Sequence, residues 1–173
     1  MTTTLKAITQ YSQATFIINH EELTHSRMKF LECVDVIFGT KLSPLYELRT
    51  SSRNQYEANS ELDMKYWAVW DKELSGFGQK TKLLAEYGFE AGDIYAVSCF
   101  VWHNTNDGEI SPDDCRKIKK WLLLISDIKM KIDTEKENNL LWNVYNEDVF
   151  ELFMYLRSVI SFAAVNNVPL QFT

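Results

Sequence analysis

The side chains best suited to chemistry in this chain are Cys99 and His103, which lie four residues apart. That spacing puts two side chains on one face of a helix, so the pair could act as a nucleophile with its base. With Cys115 the pair could also supply three metal ligands, but the spacing matches no familiar zinc pattern and no fourth ligand is evident. Cys99 lies inside the apolar run 97–101, which is typical of a buried and unreactive thiol. We therefore expect a structural role for these residues, with no catalytic residue, no metal ion and no cofactor.

Residues 103–114 partly imitate a calcium-binding loop. Gly108 would take the sixth position of such a loop and Asp114 the twelfth. However, His103 and Thr105 stand at the first and third positions, where calcium loops carry Asp or Asn ligands. Asp114 is also shorter than the bidentate glutamate that closes these loops. The pattern therefore does not predict a calcium site.

The same stretch is better explained as a tight turn followed by the start of a helix. Gly108 tolerates a positive φ, and Asp107 before it suits a turn. Ser111 is a favourable N-cap, Pro112 suits the first helical position, and Asp114 stands where a capping-box acid would lie. We predict that these residues form a structural turn and cap.

The five Trp and eight Tyr residues offer a different kind of site. Tyr66, Trp67 and Trp70 lie in a segment with helical spacing, and aromatic side chains usually belong to the core. Any of them that remained exposed would be a good anchor for a partner protein, because Trp and Tyr are favoured hot spots. Both interpretations stay open at this point. The candidate partner-binding residues are Tyr66, Trp67, Trp70 and the nearby acid Glu73.

Composition limits the class of protein. The chain has 173 residues, 46% of them hydrophobic, which predicts a single globular domain over residues 1–173. The formal charge is 18 − 24 = −6, which disfavours nucleic-acid and anionic-membrane partners and is compatible with a basic protein partner. We expect no signal peptide and no membrane span. Cys33, Cys99 and Cys115 are odd in number and favour reduced thiols in the cytoplasm.

Hydrophobic spacing predicts an all-α fold, an irregular bundle of about six helices with a short extended C-terminal tail. The clearest helix start is Asn19, an N-cap with Glu22 three residues later, and the same helix should end at Gly39. Further helices are predicted near residues 45–48, 62–74, 83–87, 112–130 and 147–165.

Two segments remain open between helix and strand. Residues 1–18 have a helical spacing of apolar side chains, but their Thr-rich and β-branched content weakens that interpretation. Residues 94–102 are apolar throughout, so periodicity cannot decide between a buried helix and a central strand. We favour a helix for residues 94–102.

The segment His103–Cys115, which reads H-N-T-N-D-G-E-I-S-P-D-D-C, resembles an element of small uncharacterised bacterial and phage-encoded proteins. Ile118 and Leu122 continue this resemblance, as does the apolar tail over residues 168–172. The resemblance covers about half of the chain and implies no activity, cofactor or catalytic residue. It suggests the context of toxin-immunity and phage–host conflict genes.

The leading hypothesis is a non-catalytic protein that neutralises or inhibits a partner protein by stoichiometric steric blocking, as an immunity protein or a phage-encoded inhibitor does. It is based on the negative charge, the many aromatic residues and the lack of a catalytic motif. One alternative is a small enzyme or metal-binding protein that uses Cys99 and His103. Another is a structural or oligomer-forming protein, which a self-complementary apolar patch would indicate.

Overall fold

The computed structural model describes residues 1–76, 81–103, 107–132, 144 and 147–173. Within these residues the chain forms four β-strands, eight α-helices and one 3-10 helix. The strands are β1 (Thr2–Ile8), β2 (Gln13–Asn19), β3 (Glu109–Ile110) and β4 (Leu170–Phe172). The helices are α1 (His20–Phe38), α2 (Leu42–Ser51), α3 (Arg53–Ala58), α4 (Ser60–Ser75), α5 (Thr81–Glu86), α6 (Ala96–Trp102), α7 (Pro112–Ile132) and α8 (Glu147–Asn166), with the 3-10 helix at Ala91–Tyr95.

The all-α prediction is wrong. The chain is mostly helical, but its four strands form one antiparallel sheet in the order β2-β1-β4-β3. Residues 1–18 form the hairpin β1–β2 because their side chains alternate between the two faces of the sheet, with Thr3, Leu5 and Ala7 buried. The β-branched and Thr-rich content of this segment is what a strand favours.

The C-terminal tail is extended, and it forms the strand β4 between β1 and β3. Thr4 and Thr173 exchange backbone hydrogen bonds of 2.7 and 3.0 Å, and the Phe172 N–H donates to the carbonyl of Gly108 at 3.0 Å. β3 has two residues and β4 three, so neither is long enough to show an alternating pattern in the sequence. The sheet therefore depends on contacts between distant segments.

Helices cover one face of the sheet. Helix α8 packs against both β1 and β2, and α7 packs beside α8. The ring of Phe16 in β2 stacks on Tyr155 of α8, with ring centroids 5.5 Å apart. Deeper in the core, Phe30 and Phe38 of α1 make edge-to-face contacts with Trp121 of α7. The other face of the sheet carries exposed side chains, among them Ile17.

Local signals fix the boundaries of α1. The Asn19 side chain accepts a hydrogen bond from the Glu22 N–H at 2.7 Å, and the Glu22 carboxylate accepts from the Asn19 N–H at 3.2 Å. The helix ends at Gly39, which has φ +69°. The carboxylate of Asp35 then accepts from the Leu42 N–H at 2.8 Å, so α1 caps α2. Residues 94–102 are helical, as favoured, because the 3-10 helix leads directly into α6.

The turn before α7 has a positive φ at Gly108, +97°, where a residue with a Cβ is strained. Ser111 Oγ accepts from the Asp114 N–H at 3.1 Å and lies 2.8 Å from an Asp114 carboxylate oxygen, to which it donates. Pro112 is the first residue of α7, and Asp107 is exposed. Residues 104–106, which precede this turn, lie outside the described residues.

We expect Gly108→Val to lower the free energy of unfolding by about 1–3 kcal/mol, because a β-branched residue is strained at positive φ. Ser111→Ala should cost about 1 kcal/mol through loss of the cap. Denaturant titration of each variant measures both effects. Gly76→Val is the matched control, since Gly76 has φ −62° and open space around its Cβ position. Unchanged midpoints for Gly108→Val and Ser111→Ala would contradict this account of the turn.

Candidate protein-binding surface

Cys99 and His103 are not arranged as a nucleophile with its base. Helix α6 ends at Trp102, and the extended residue His103 directs its ring to Phe172 of β4, with centroids 4.4 Å apart. Burial raises the pKa of Cys99 to about 11. Burial also lowers the pKa of His103, and the nearby Arg27 guanidinium adds to this. Since the thiolate is the nucleophile, a thiol with so high a pKa is unreactive at neutral pH.

The same cysteines and acids do not form a metal site in the part of the chain that the structure describes. No three His, Cys, Asp or Glu side chains are grouped there so that they could hold an ion. Burial raises the pKa of Cys115 to about 12, which disfavours the thiolate that a metal needs as ligand. Thr105, the third position of the calcium-loop interpretation, lies outside the described residues.

Arg27 lies on the apolar face of α1, as its helical spacing from Leu23 and Leu31 predicts, and is only 4% exposed. Its guanidinium donates to the main-chain carbonyl of His103 at 2.9 Å and lies beside the hydroxyl of Tyr46. Burial lowers the pKa of Arg27, while Tyr46 and Cys99 act in the opposite direction. Arg27 therefore ties α1 to α2 and to the end of α6, which is a structural role.

The aromatic residues proposed as partner anchors lie mainly in the core. Tyr66 and Trp70 are buried, and they donate hydrogen bonds to the Leu45 carbonyl at 2.9 Å and to Ser98 Oγ at 2.8 Å. Trp67 is half-buried and donates to a carboxylate oxygen of Asp63 at 3.2 Å. The half-buried Glu73 accepts from the Lys41 N–H at 3.0 Å. Tyr66 and Trp70 thus offer no surface to a partner.

Arg49 holds this aromatic cluster together. Its guanidinium carbon lies 4.9 Å from the ring centroid of Trp67 and 5.3 Å from that of Tyr66, and it forms an ion pair with Asp63 at 2.5 Å. A cation over the faces of aromatic rings is attracted by their quadrupoles. The side chain of Arg49 thus occupies the position that a ligand cation would take in an aromatic cage.

The clearest unpaired surface is the outer edge of β2. In the hairpin, the Thr9 N–H donates to the Ser12 carbonyl and the His20 N–H to the Met1 carbonyl. Bonded and non-bonded pairs alternate along an antiparallel ladder. The main-chain groups of Ala14, Phe16 and Ile18 consequently face β1, whereas those of the other four residues point away from the sheet. Of these four, Asn19 donates its N–H to the Glu22 carboxylate, which leaves Gln13, Thr15 and Ile17.

The outward groups of β2 are accessible. Gln13 and Thr15 are exposed, and the side chain of Ile17 is 65% exposed. Within the described residues, no hydrogen bond reaches the outward N–H or C=O of these three residues. The strand Gln13–Asn19 contains no charged residue and no proline, the features with which proteins usually protect an edge strand.

The helix α8, which packs on β2, carries exposed apolar side chains. Tyr155, which stacks on Phe16 of β2, is 53% exposed, and Met154 beside it is also exposed. Phe150 lies one turn earlier on the helix and is exposed too. We call the edge of β2 together with these three side chains of α8 the β2–α8 surface. It combines main-chain donors and acceptors with apolar area, which suits binding of another polypeptide.

No protein-family model matches the chain, and neither the curated proteins nor the solved structures contain a significant match. Among the described residues, no helix is both long and apolar enough to cross a membrane.

The sequence does not predict the β2–α8 surface, because residues 1–18 combine a helical spacing of apolar side chains with a Thr-rich, β-branched composition. The sequence signal for these strands is the alternation of apolar and polar residues in Leu5-Lys6-Ala7 and Ala14-Thr15-Phe16. No pattern in the sequence could have indicated which strand of the sheet lies at an edge, since that depends on the pairing of β4 with β1.

We expect Cys99 to react slowly with a thiol reagent at pH 8 in the folded protein. With a pKa of about 11, only about one thiol in a thousand is ionised at pH 8. Because burial favours the neutral thiol, the rate should rise with pH until it levels near the pKa. Stopped-flow labelling from pH 7 to 11, followed by mass spectrometry, measures this. Unfolding in urea should restore fast labelling, whereas a fast reaction in the folded state with an apparent pKa below 8 would revive the enzyme alternative.

Proposed function

We propose that this chain is a non-catalytic protein-binding module and that it binds through the β2–α8 surface. The observation that carries the proposal is the free edge of β2, where Gln13, Thr15 and Ile17 point their main-chain groups outward. An extended segment of another polypeptide can add to such an edge as a further strand. Main-chain hydrogen bonds then supply affinity, and side chains on alternate positions supply specificity.

Helix α8 supports this proposal by providing anchors next to the edge. Tyr155, Met154 and Phe150 are partly exposed. A partner that covers them would remove their apolar surface from water, which favours binding. Tyr residues and other aromatics are enriched among the residues that dominate binding energy. The partner-binding role thus moves from Tyr66 and Trp70 to Tyr155 and its neighbours, while Trp67 and Glu73 keep at most a peripheral part in it.

The mode of action that we propose is stoichiometric blocking. The chain would neutralise a partner by covering its working surface, as immunity proteins and phage-encoded inhibitors do. The net charge of −6 favours a basic protein partner over nucleic acid or an anionic membrane. We place this activity in the cytoplasm because Cys33, Cys99 and Cys115 are free thiols.

An enzymatic role is the weaker candidate. It would require Cys99 as a thiolate and His103 as its base, but the pKa of the thiol is raised and the imidazole packs on Phe172. The geometry of this pair supports a packing role instead.

Photo-crosslinking tests the proposed surface directly. Tyr155 is replaced by the photoreactive residue p-benzoylphenylalanine, and the protein is irradiated in its native cell. The matched control carries the same replacement at Tyr95, which is 66% exposed and lies on the 3-10 helix, outside the β2–α8 surface. We expect one dominant covalent adduct from position 155 and none from position 95.

Two further variants relate the adduct to the strand edge. Ile17→Lys adds a charge to the edge strand and should abolish the adduct, whereas Ile8→Lys adds one to the exposed end of the inner strand β1 and should not. Equal adducts from positions 155 and 95, or no adduct from 155, would refute the proposed surface. The mass of the adduct identifies the class of partner.

A further inference from the structure

We propose that the polypeptide bound at the β2 edge carries an arginine opposite Phe16, and that this arginine binds the ring of Tyr155 and the carboxylate of Glu151. The inference rests on the proposed function, because it takes the β2–α8 surface to be a protein-binding surface and names the side chain that this surface selects. An acid and an aromatic residue that are hydrogen-bonded one helical turn apart lie on both α4 and α8. The pair on α4 holds an arginine of the same chain, and the pair on α8 is exposed.

The pair on α4 shows how this chain binds an arginine. Asp63 and Trp67 are four residues apart, and the Trp67 indole donates to a carboxylate oxygen of Asp63 at 3.2 Å. Arg49 of α2 reaches both members of the pair. Its guanidinium carbon lies 4.9 Å from the ring centroid of Trp67, and its Nη1 lies 2.5 Å from the other carboxylate oxygen of Asp63. The carboxylate and the face of the ring therefore attract the same guanidinium.

The pair on α8 has the same spacing. The Tyr155 hydroxyl donates to a carboxylate oxygen of Glu151, which lies 3.4 Å away. Both side chains are exposed, that of Tyr155 to 53%. Among the residues that the structure describes, Glu151 takes part in no ion pair. The acid and the ring are thus available together at the surface.

The cation of α8, Arg157, is directed away from this pair. With 3.6 residues per turn, its side chain leaves the helix about 160° from that of Tyr155 and about 120° from that of Glu151. Its guanidinium contacts the sulfur of Met154 at 3.3 Å instead. A cation that binds Glu151 and Tyr155 is therefore supplied by another molecule.

Phe16 connects this pair to the edge of β2. Its ring stacks on that of Tyr155, with centroids 5.5 Å apart and an angle of 15° between the planes. Because Phe16 turns its main-chain groups to β1, a residue of an added antiparallel strand that faces Phe16 belongs to a closely spaced, non-bonded pair. The side chain of that residue lies on the same face as Phe16, with the two Cβ atoms about 5 Å apart. A long side chain at this position extends to the Tyr155 ring.

Arginine suits this position better than lysine or a neutral residue. Its planar guanidinium stacks on an aromatic face and donates two hydrogen bonds to one carboxylate, whereas the ammonium group of lysine is a point charge. Its apolar stem packs against the half-buried ring of Phe16. The charge also agrees with the chain as a whole, since a net charge of −6 attracts a basic segment.

Titration with synthetic strand peptides tests the inference. The probe is a short acetylated and amidated peptide with a central arginine, Val at the positions that share its face and Thr between them. Two matched peptides replace the arginine by citrulline, which keeps the shape without the charge, or by lysine, which keeps the charge without the plane. Binding is followed by the NMR shifts of the Thr15 and Ile17 amides. We expect the arginine peptide to bind about tenfold more tightly than the citrulline peptide, with the lysine peptide between them.

Two substitutions assign this preference to its residues. Glu151→Gln should remove most of the advantage of arginine over citrulline, and Tyr155→Leu should remove the advantage of arginine over lysine. Glu47→Gln is the matched control, since it removes the same charge from an exposed acid on α2 and should leave both preferences unchanged. Circular dichroism checks that each variant is folded.

Failure of this inference differs from failure of the proposed function. Equal affinities for the arginine and citrulline peptides, a preference that survives Glu151→Gln, or no shift with the arginine peptide at millimolar concentration would each overturn the inference. If position 155 still forms its covalent adduct in the cell, the protein-binding surface stands without the arginine. Absence of that adduct refutes the proposed function and the arginine with it.

Discussion

The pairing of β4 with β1 is the constraint on which the rest of the structure depends. Thr4 and Thr173 bond to each other through both main-chain groups, so the inner side of β1 is occupied by the last strand of the chain. Strand β2 consequently has a neighbour on one side only. The same pairing brings α8, which precedes β4, across the hairpin and places Tyr155 on Phe16. The free edge and its apolar border thus have one common origin.

A second set of contacts connects this sheet to the helices through Arg27 and His103. Arg27 reaches from α1 to the carbonyl of His103, and the ring of His103 rests on Phe172 of β4. The N–H of Phe172 in turn donates to the carbonyl of Gly108 in the turn before α7. Burial in this region raises the pKa of the Cys99 thiol, so the residues that could have formed a catalytic pair instead join α1, α6 and β4.

The sequence predicted the helices and helix ends that depend only on residues close together in the chain. The capping box of Asn19, the end of α1 at Gly39 and the helices over α7 and α8 follow from local spacing and caps. The sheet was missed because β3 and β4 are very short and gain their stability from pairing across the whole chain. The candidate site was missed for the same reason. Exposure of Tyr155 and burial of Trp70 depend on how the helices pack, since both residues lie on helices with similar apolar spacing.

The claim that the outer edge of β2 is a pairing surface is tested most directly by hydrogen exchange of its main-chain amides. The N–H groups of Thr15 and Ile17 point outward, whereas those of Ala14 and Phe16 bond to β1 and serve as an internal reference. Exchange is followed by NMR in the free protein and in its complex with the partner captured through position 155. We predict that binding increases the protection of Thr15 and Ile17 while the protection of Ala14 and Phe16 stays constant. Rapid exchange of the two outward amides in the complex, with the reference amides protected, would contradict the account.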